Sequence, residues 1–195
     1  MNDLSIGILA YKHEAVLADL VRSILNQETN YTYNIIIGVD LCDDNSLGIA
    51  KFFKNEYPNI IDLIEHSQNI GGNGNLLSVA KKLSGRFSMI VDGDDIFLPG
   101  KIQKVCDILS SNPEVNLVAH HMVLANSSIN KFYGLDKPRL PDKFSMEFMV
   151  ANYLAFGNSQ KVYRSPINLL DNGNMIDFSI DIRHVGHHGL IAFIN

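Results

Sequence analysis

Acidic residues in this 195-residue chain gather in two short clusters that could hold a cation. One is the DGDD sequence at 92–95, and the other is the VDLCDDNS segment at 39–46. Neighbouring carboxylates repel one another unless a cation is bound, and Mg²⁺ or Mn²⁺ takes such oxygen ligands while keeping positions open for phosphate. Asp and Gly also dominate tight turns for backbone reasons alone, so DGDD by itself is equally consistent with a turn. A metal-bound diphosphate is indicated only if the fold brings the two clusters together.

The elements around these clusters follow the rhythm of a parallel sheet, because short β-branched runs alternate with segments of helical period. Strands are predicted at 5–9, 35–39, 60–64, 87–91 and 115–118, and helices at 14–27, 46–57, 75–83 and 99–111. Ligands of such sheets bind beyond the carboxyl ends of the strands. We therefore expect residues 10–12, Asp40 and residues 92–95, which follow three of the strands, to meet at one edge.

The glycine cluster QNIGGNGN at 68–75 does not have the GxGxxG spacing of a dinucleotide site. We predict a turn with Asn75 as the N-cap of the next helix, and a ligand contact is an equally good interpretation. After residue 126 the pattern loosens. We predict a long loop at 131–143, helices at 145–154 and 176–188, and a last strand at 190–194.

Composition excludes several classes of protein. Sixteen basic and 21 acidic side chains give a formal charge of -5, so the chain has no basic surface for nucleic acid. Cys42 and Cys106 lack CxxC spacing, which argues against a disulfide framework or a zinc site. The N-terminus lacks the positive charge of a secretory peptide, and no run approaches the roughly 20 apolar residues of a membrane span. We expect a cytoplasmic protein.

Two further patterns have simpler interpretations than a site. His184 and His188 have the i, i+4 spacing of a metal pair but lack the HExxH glutamate, so exposed histidines on a helix are preferred to zinc ligands. Residues 144–156 are apolar on more than one face and could rest on the inner face of a membrane, although such a segment is more often part of a core.

Five segments, in their order and spacing, resemble the family 2 glycosyltransferases with the GT-A fold, particularly bacterial enzymes that build surface polysaccharides. They are SIGILAYKHEAVLADLVRSILNQ, IIIGVDLCDDNSLGIAKFF, HSQNIGGNGNLLSVAKKLSGRFSMIVDGDD, GNSQKVYRS and IDFSIDIRHVGHHGLIAFI. The resemblance implies a Rossmann-like α/β/α sandwich with a mostly parallel central sheet. It also implies a donor-binding subdomain at 1–125 and an acceptor-side portion at 126–195 of the same compact domain. We expect the latter to be incomplete, because relatives continue through further helices.

The resemblance also assigns roles to the residues at matching positions. It implies a general base at Asp177, with Asp181 as a spare candidate, and Mn²⁺ or Mg²⁺ at Asp94 and Asp95. The acceptor would meet Asn158 and Ser159. The nucleotide-sugar donor would meet Ala10, Tyr11, Asp40, Asp44, Asp92, Gly93 and Asp94. Within that set, Tyr11 would pack against the base and Asp40 would accept a hydrogen bond from uracil.

These roles imply an inverting, metal-dependent transferase that moves a sugar, with a UDP-sugar as the expected donor, to a hydroxyl of a glycan or lipid-linked acceptor. The alternative is a non-catalytic or partner-dependent nucleotide-sugar-binding module, because Ile176 stands where the family usually has Glu and relatives continue through further helices. Lys12, where the family usually has Asn, is another departure. A sugar nucleotidyltransferase or DxD phosphatase is disfavoured, since the basic glycine-rich loop of the former and the Thr or Val after DxD of the latter are missing.

Overall fold

The computed structural model describes residues 1–120, 123–126, 131–134, 143–145, 158–165 and 190–194, with side chains at 1–120 and 159–165. The elements, in chain order, are β1 (Leu4–Ala10), α1 (Leu17–Leu25), β2 (Tyr33–Val39), α2 (Ser46–Glu56), β3 (Ile61–Glu65), α3 (Gly71–Ala80), β4 (Phe87–Asp92), α4 (Lys101–Ser111), β5 (Val115–His120), β6 (Val123–Asn126), β7 (Lys131–Gly134), β8 (Lys143–Ser145), a 3₁₀ helix (Asn158–Gln160), β9 (Lys161–Arg164) and β10 (Leu190–Ile194).

Eight of these strands form one sheet in the order β3, β2, β1, β4, β9, β5, β10, β8. Strand β9 is antiparallel to both β4 and β5, and β8 is antiparallel to β10. The remaining neighbours in the sheet are parallel. The predicted α/β fold with a mostly parallel sheet is therefore confirmed.

The core forms because apolar residues recur at the period of each element. In α1, Leu17, Leu20, Val21 and Ile24 follow the i, i+3, i+4, i+7 pattern and are fully buried. Strand β1 is buried at nearly every position, as expected where helices cover both faces of a sheet. No helix in the described part of the chain is both long enough and apolar enough to span a bilayer.

The start of α3 corrects one prediction. The helix begins at Gly71, four residues before the predicted N-cap, so the glycine cluster forms its first turn. Asn75 is not a cap but lies inside the helix, where its buried Nδ2 donates to the Gly38 carbonyl at 2.9 Å. A Cβ on Gly7 or Gly38 would overlap the Val79 side chain, so these two glycines allow α3 to pack closely on β1 and β2.

Other boundaries also differ from the predictions. Helices α1 and α4 begin at Leu17 and Lys101, a few residues later than predicted, and Gly100 precedes α4 with a left-handed φ of 79°. Strands β6 and β7 pair antiparallel, so the predicted loop at 131–143 is wrong at residues 131–134 and at Lys143, which begins β8. The predicted strand at 190–194 is confirmed. The helices predicted at 145–154 and 176–188 lie outside the described residues, except for Ser145 in β8.

Candidate active site at the carboxyl ends of the strands

The ends of β2, β1 and β4 lie side by side at one edge of the sheet. Ala10 is in register with Val39, and Leu9 is in register with Asp92. With strands about 4.8 Å apart, the ends of β2 and β4 are separated by roughly 10 Å. The structure therefore brings together residues 10–12, Asp40 and residues 92–95, as the strand pattern predicts.

Asp40 is 2% exposed, and its carboxylate is held by two backbone donors. Its Oδ1 accepts hydrogen bonds from Leu41 N at 3.0 Å and from Ile70 N at 2.8 Å. Ile70 directly precedes α3, so the carboxylate lies where the helix dipole stabilises negative charge. The Asp40 N–H donates to Ala10 O at 2.9 Å, which fixes its backbone against the end of β1.

Asp44 has both carboxylate oxygens occupied by donors from the chain. Oδ2 accepts from Glu14 N and from Ser46 Oγ, both at 2.9 Å. Oδ1 accepts from Ser46 N at 3.0 Å and from Cys42 Sγ at 3.1 Å. Partial burial alone would raise the pKa of Asp44, but these hydrogen bonds outweigh it and hold the pKa well below the usual 3.8. The group is therefore ionised and internally satisfied.

The loops after β1 and β2 border an open cavity of about 550 Å³. Tyr11 and Leu41, which are 45% and 48% exposed, supply apolar wall surface. Lys12 Nζ forms an ion pair with Asp43 Oδ1 at 2.9 Å on the cavity lining. Asn69 also lines the cavity, and its Nδ2 donates to Leu41 O at 3.1 Å. Exposed ring and aliphatic surface beside hydrogen-bonding groups suits a planar, polar ligand such as a nucleobase.

Residues 92–95, called the acidic turn below, are anchored mainly through their backbone. Asp92 N donates to Ser159 Oγ at 3.0 Å, and Gly93 N donates to Leu9 O at 2.9 Å. A Cβ on the buried Gly93 would overlap His13 Nδ1 and lie 2.8 Å from Leu9 O. The glycine therefore allows the acidic turn to pack against the end of β1.

The carboxylates of Asp94 and Asp95 remain available at this edge. Asp94 is exposed, Asp95 is partly exposed, and neither carboxylate receives a hydrogen bond or ion pair in the described ranges. Within the same ranges, no group of three or more His, Cys, Asp and Glu side chains is arranged to hold a metal. Mg²⁺ needs only one or two carboxylates when substrate phosphates and water complete its shell, so the two available acids fit such an ion.

Ser159 connects the acidic turn to α4. Its hydroxyl accepts the Asp92 N–H, and its carbonyl oxygen accepts a hydrogen bond from Lys101 Nζ at 2.8 Å. The ammonium also lies 4.0 Å from the centroid of the Phe97 ring. Burial lowers the pKa of Lys101 to about 7, with attraction to Asp95 acting in the opposite direction. Ser159, itself 6% exposed, is thus held next to the acidic turn.

The remaining predicted site residues are Ala10, Asn158 and Asp177. Ala10 is fully buried and contributes its carbonyl, Asn158 begins the 3₁₀ helix, and Asp177 lies outside the described residues. Sequence reasoning missed Glu14 and Lys101, whose partners are 31 and 58 residues away, so no local pattern could reveal them. Asp44 did have a recognisable signal, because an Asp just before a helix commonly accepts a hydrogen bond from the first N–H groups, as it does here from Ser46 N.

Comparison with known families gives a match over most of the chain. The model of the family described as "Glycosyl transferase family 2" matches residues 5–161. An uncharacterized glycosyltransferase of Haemophilus influenzae is 28% identical over 150 residues, which are 76% of this chain and 49% of that protein. The UDP-Glc:alpha-D-GlcNAc-diphosphoundecaprenol beta-1,3-glucosyltransferase WfgD of Escherichia coli is 26% identical over 141 residues, 70% of this chain and 54% of WfgD. The chain thus spans about half the length of these relatives.

Solved structures share the fold at low sequence identity. S. aureus TarS in complex with UDP-GlcNAc superposes with a TM-score of 0.74 at 14% identity, covering 98% of this chain and 56% of the TarS chain. The mannosyltransferase PcManGT of Pyrobaculum calidifontis, solved with GDP-Man and Mn²⁺, gives a TM-score of 0.60 at 12% identity, covering 84% and 44%. The fold is therefore that of the GT-A glycosyltransferases, and the chain belongs to glycosyl transferase family 2.

Proposed function

We propose that this chain is the donor-binding and catalytic part of an inverting, metal-dependent glycosyltransferase of surface polysaccharide synthesis. The observation that carries the proposal is the acidic turn, whose Asp94 and Asp95 carboxylates are available at the same edge as the cavity beside Tyr11. A nucleoside diphosphate requires these two features together, since one holds a base and the other a metal-bound diphosphate.

The donor is a UDP-sugar in this proposal. The base lies against Tyr11 and Leu41 on the cavity lining. Asp40 is 2% exposed and directly precedes Leu41, and its oxygen that is not bonded to Leu41 N and Ile70 N accepts a hydrogen bond from uracil. Two comparisons support uridine: the name of the E. coli relative includes UDP-Glc, and TarS was solved with UDP-GlcNAc. Asp92 and Gly93 then meet the ribose and diphosphate, where the acidic turn leaves β4.

Asp94 and Asp95 are the residues that would hold Mg²⁺ or Mn²⁺, the ion found with the Pyrobaculum enzyme being Mn²⁺. Such an ion supplies positive charge that stabilises the departing diphosphate. The carboxylates need no rearrangement of protein hydrogen bonds to take this role, because neither has one in the described ranges.

Transfer replaces one carbon–oxygen bond at the sugar by another. The acceptor hydroxyl attacks the anomeric carbon from the side opposite the diphosphate, so the bond to the leaving oxygen breaks and the configuration inverts. Asp177 takes the proton of the attacking hydroxyl as general base. Asn158 and Ser159 line the acceptor side, and a lipid-linked acceptor would bring the protein to the inner face of the membrane.

Isothermal titration of UDP with and without Mn²⁺, followed by turnover of a panel of nucleotide sugars, tests the proposal. We expect UDP binding that Mn²⁺ strengthens, donor turnover, and loss of turnover but not of UDP binding in Asp177→Asn. The matched control is Asp19→Asn, an exposed acid of α1 whose bond is to Arg22 in the next helical turn.

The outcomes separate the candidate functions. Failure of every nucleoside diphosphate to bind in the presence of Mn²⁺ overturns the proposal. Binding without any turnover favours the alternative of a non-catalytic or partner-dependent donor-binding module, which Ile176 in place of the family's glutamate first suggested. Release of inorganic phosphate or pyrophosphate favours a different phosphate chemistry.

A further inference from the structure

The loops after β1 and β2 are joined by a reciprocal pair of hydrogen bonds between acidic side chains and backbone amides. Glu14 N donates to Asp44 Oδ2 at 2.9 Å, and Asn45 N donates to Glu14 Oε2 at 2.8 Å. Each carboxylate therefore accepts an N–H from the other loop. We call Glu14, Asp44 and these two amides the clasp.

Ser46 reinforces the clasp from the first turn of α2. Its hydroxyl accepts a hydrogen bond from His13 N at 2.8 Å and donates to Asp44 Oδ2 at 2.9 Å. Hydrogen bonds to ionised carboxylates are roughly twice as strong as neutral ones, and here several converge on one group. The two loops are consequently held in one relative position.

Five of the six residues that border the cavity lie between the strand ends and the clasp, the sixth being Asn69. On the first loop they are Tyr11 and Lys12, and on the second they are Leu41, Cys42 and Asp43. Neither Glu14 nor Asp44 is on the cavity lining, so the clasp acts on the cavity through the backbone. Asp44, for which the resemblance implies a donor contact, has both carboxylate oxygens occupied by hydrogen bonds from the chain.

The backbone of the first loop needs such support. Lys12 has a φ of 57°, in the left-handed region, which is sterically unfavourable for a residue with a Cβ. A strained backbone conformation of this kind persists only where several surrounding contacts hold it in place. The clasp begins two residues later, at Glu14, and the Asp43 ion pair holds the Lys12 side chain from the opposite loop. Together they support the loop that places Tyr11 on the cavity lining.

We propose that Glu14 and Asp44 are positioning residues for the nucleobase end of the donor, an inference that rests on the proposed UDP-sugar function. Asp44 follows β2, which β1 separates from β4, whereas Glu14 follows β1, the neighbour of β4. No hydrogen bond in the described ranges joins the clasp to the acidic turn. Loss of the clasp therefore weakens nucleotide binding by the same factor with and without Mn²⁺, because the metal-binding carboxylates are unaffected.

The test measures the dissociation constant of UDP by isothermal titration in Mn²⁺ and in EDTA for three variants. Glu14→Ala removes the acceptor of Asn45 N–H, and we expect a dissociation constant about fivefold to tenfold higher in both buffers. Glu14→Gln keeps an acceptor oxygen on the same stem and should stay within about twofold of the unmutated chain. Glu28→Ala removes an exposed glutamate away from the cavity and serves as the matched control.

Glu14 is chosen for mutation because it is exposed, so Glu14→Ala should fold. If Glu14→Ala does not fold, Asp44→Asn, which keeps one acceptor oxygen, takes its place. Unchanged UDP affinity in Glu14→Ala overturns the inference while leaving the proposed function intact. Loss of the Mn²⁺ enhancement in Glu14→Ala, or no rescue by Gln, also overturns it, since either result indicates general disruption. Absence of UDP binding by the unmutated chain overturns both proposals.

Discussion

The carboxylates after β2 and those after β4 occupy the same edge of the sheet but have opposite surroundings. Asp40 and Asp44 accept hydrogen bonds from backbone amides, and Asp44 also accepts them from a hydroxyl and a thiol. Asp94 and Asp95 receive none in the described ranges, and what fixes their turn is the backbone of Asp92 and Gly93.

This difference separates carboxylates that support the shape of the cavity from carboxylates that are available to bind a cation. A carboxylate whose lone pairs are filled by the protein's own donors must break those bonds to take a metal, whereas an unbonded, exposed carboxylate loses only water. In our proposals Asp44, with both oxygens occupied, therefore supports the form of the cavity, whereas Asp94 and Asp95 remain available for a cation. Mutations in the two regions should then affect different quantities.

The largest expected effect is on the β4 side. Asp94→Asn should lower Mn²⁺-dependent turnover of the donor about 100-fold, the usual cost of removing one electrostatic contributor at a reacting centre. The free energy of unfolding should change by less than about 0.5 kcal/mol, because the side chain is exposed and unbonded. Kinetic assays and urea denaturation measure the two quantities. A destabilised Asp94→Asn variant that keeps its Mn²⁺ response would contradict the comparison.

Gly93→Ala tests the packing that supports the acidic turn. The added methyl group would overlap His13 Nδ1 and approach Leu9 O to 2.8 Å, so we expect a loss of about 2 kcal/mol in unfolding free energy. The Leu9 carbonyl cannot move without disturbing β1. Adding His13→Ala to the Gly93→Ala chain should therefore restore only part of the lost unfolding free energy. Gly72→Ala is the matched control, since a Cβ there meets nothing within 4 Å. Equal effects of the two alanines would show that the close contact is unimportant.

Asp44, in the loop after β2, should make the free energy of unfolding depend on pH. Its hydrogen bonds hold the pKa below the usual 3.8, so the folded state binds its proton less readily than the unfolded chain does. The stabilisation is therefore complete above about pH 4 and is lost as the pH falls below that value. Asp44→Ala should cost about 1–3 kcal/mol at pH 7 and less at pH 3. Urea denaturation at both pH values measures this, and an equal cost at both would refute it.

Features that depend on local sequence were predictable, whereas features that depend on contacts between distant residues were not. The strand ends and the acidic turn were predictable, because period-2 and period-3.6 patterns place elements locally and parallel strands bring their carboxyl ends together. The start of α3 was not, since glycines disfavour helix in isolation and tertiary packing of Val79 against Gly7 and Gly38 overrides that preference.

Long-range contacts explain the other misses. Strand β9 enters the sheet between β4 and β5 after a long excursion of the chain, and no local pattern specifies such an insertion. The contact between Asp44 and Glu14 N had the same limit, because it joins residues 30 apart, and the donor contact implied for Asp44 stays a prediction. What an acid does at this edge depends on which donors the fold delivers to it.

The smallest expected effect concerns Lys12, which lies in the loop that the clasp supports. Glycine adopts its φ of 57° without steric cost, so Lys12→Gly should raise the unfolding free energy by about 1 kcal/mol. The lost ion pair with Asp43 offsets little of this, because both side chains are exposed and water screens their attraction. The unfolding free energy of Lys12→Asn should lie between those of the unmutated chain and Lys12→Gly, since Asn tolerates a left-handed φ better than Lys does. Thermal unfolding of the three chains measures the series. A destabilised Lys12→Gly variant would mean that the Lys12 side chain, rather than the clasp, holds the loop in place.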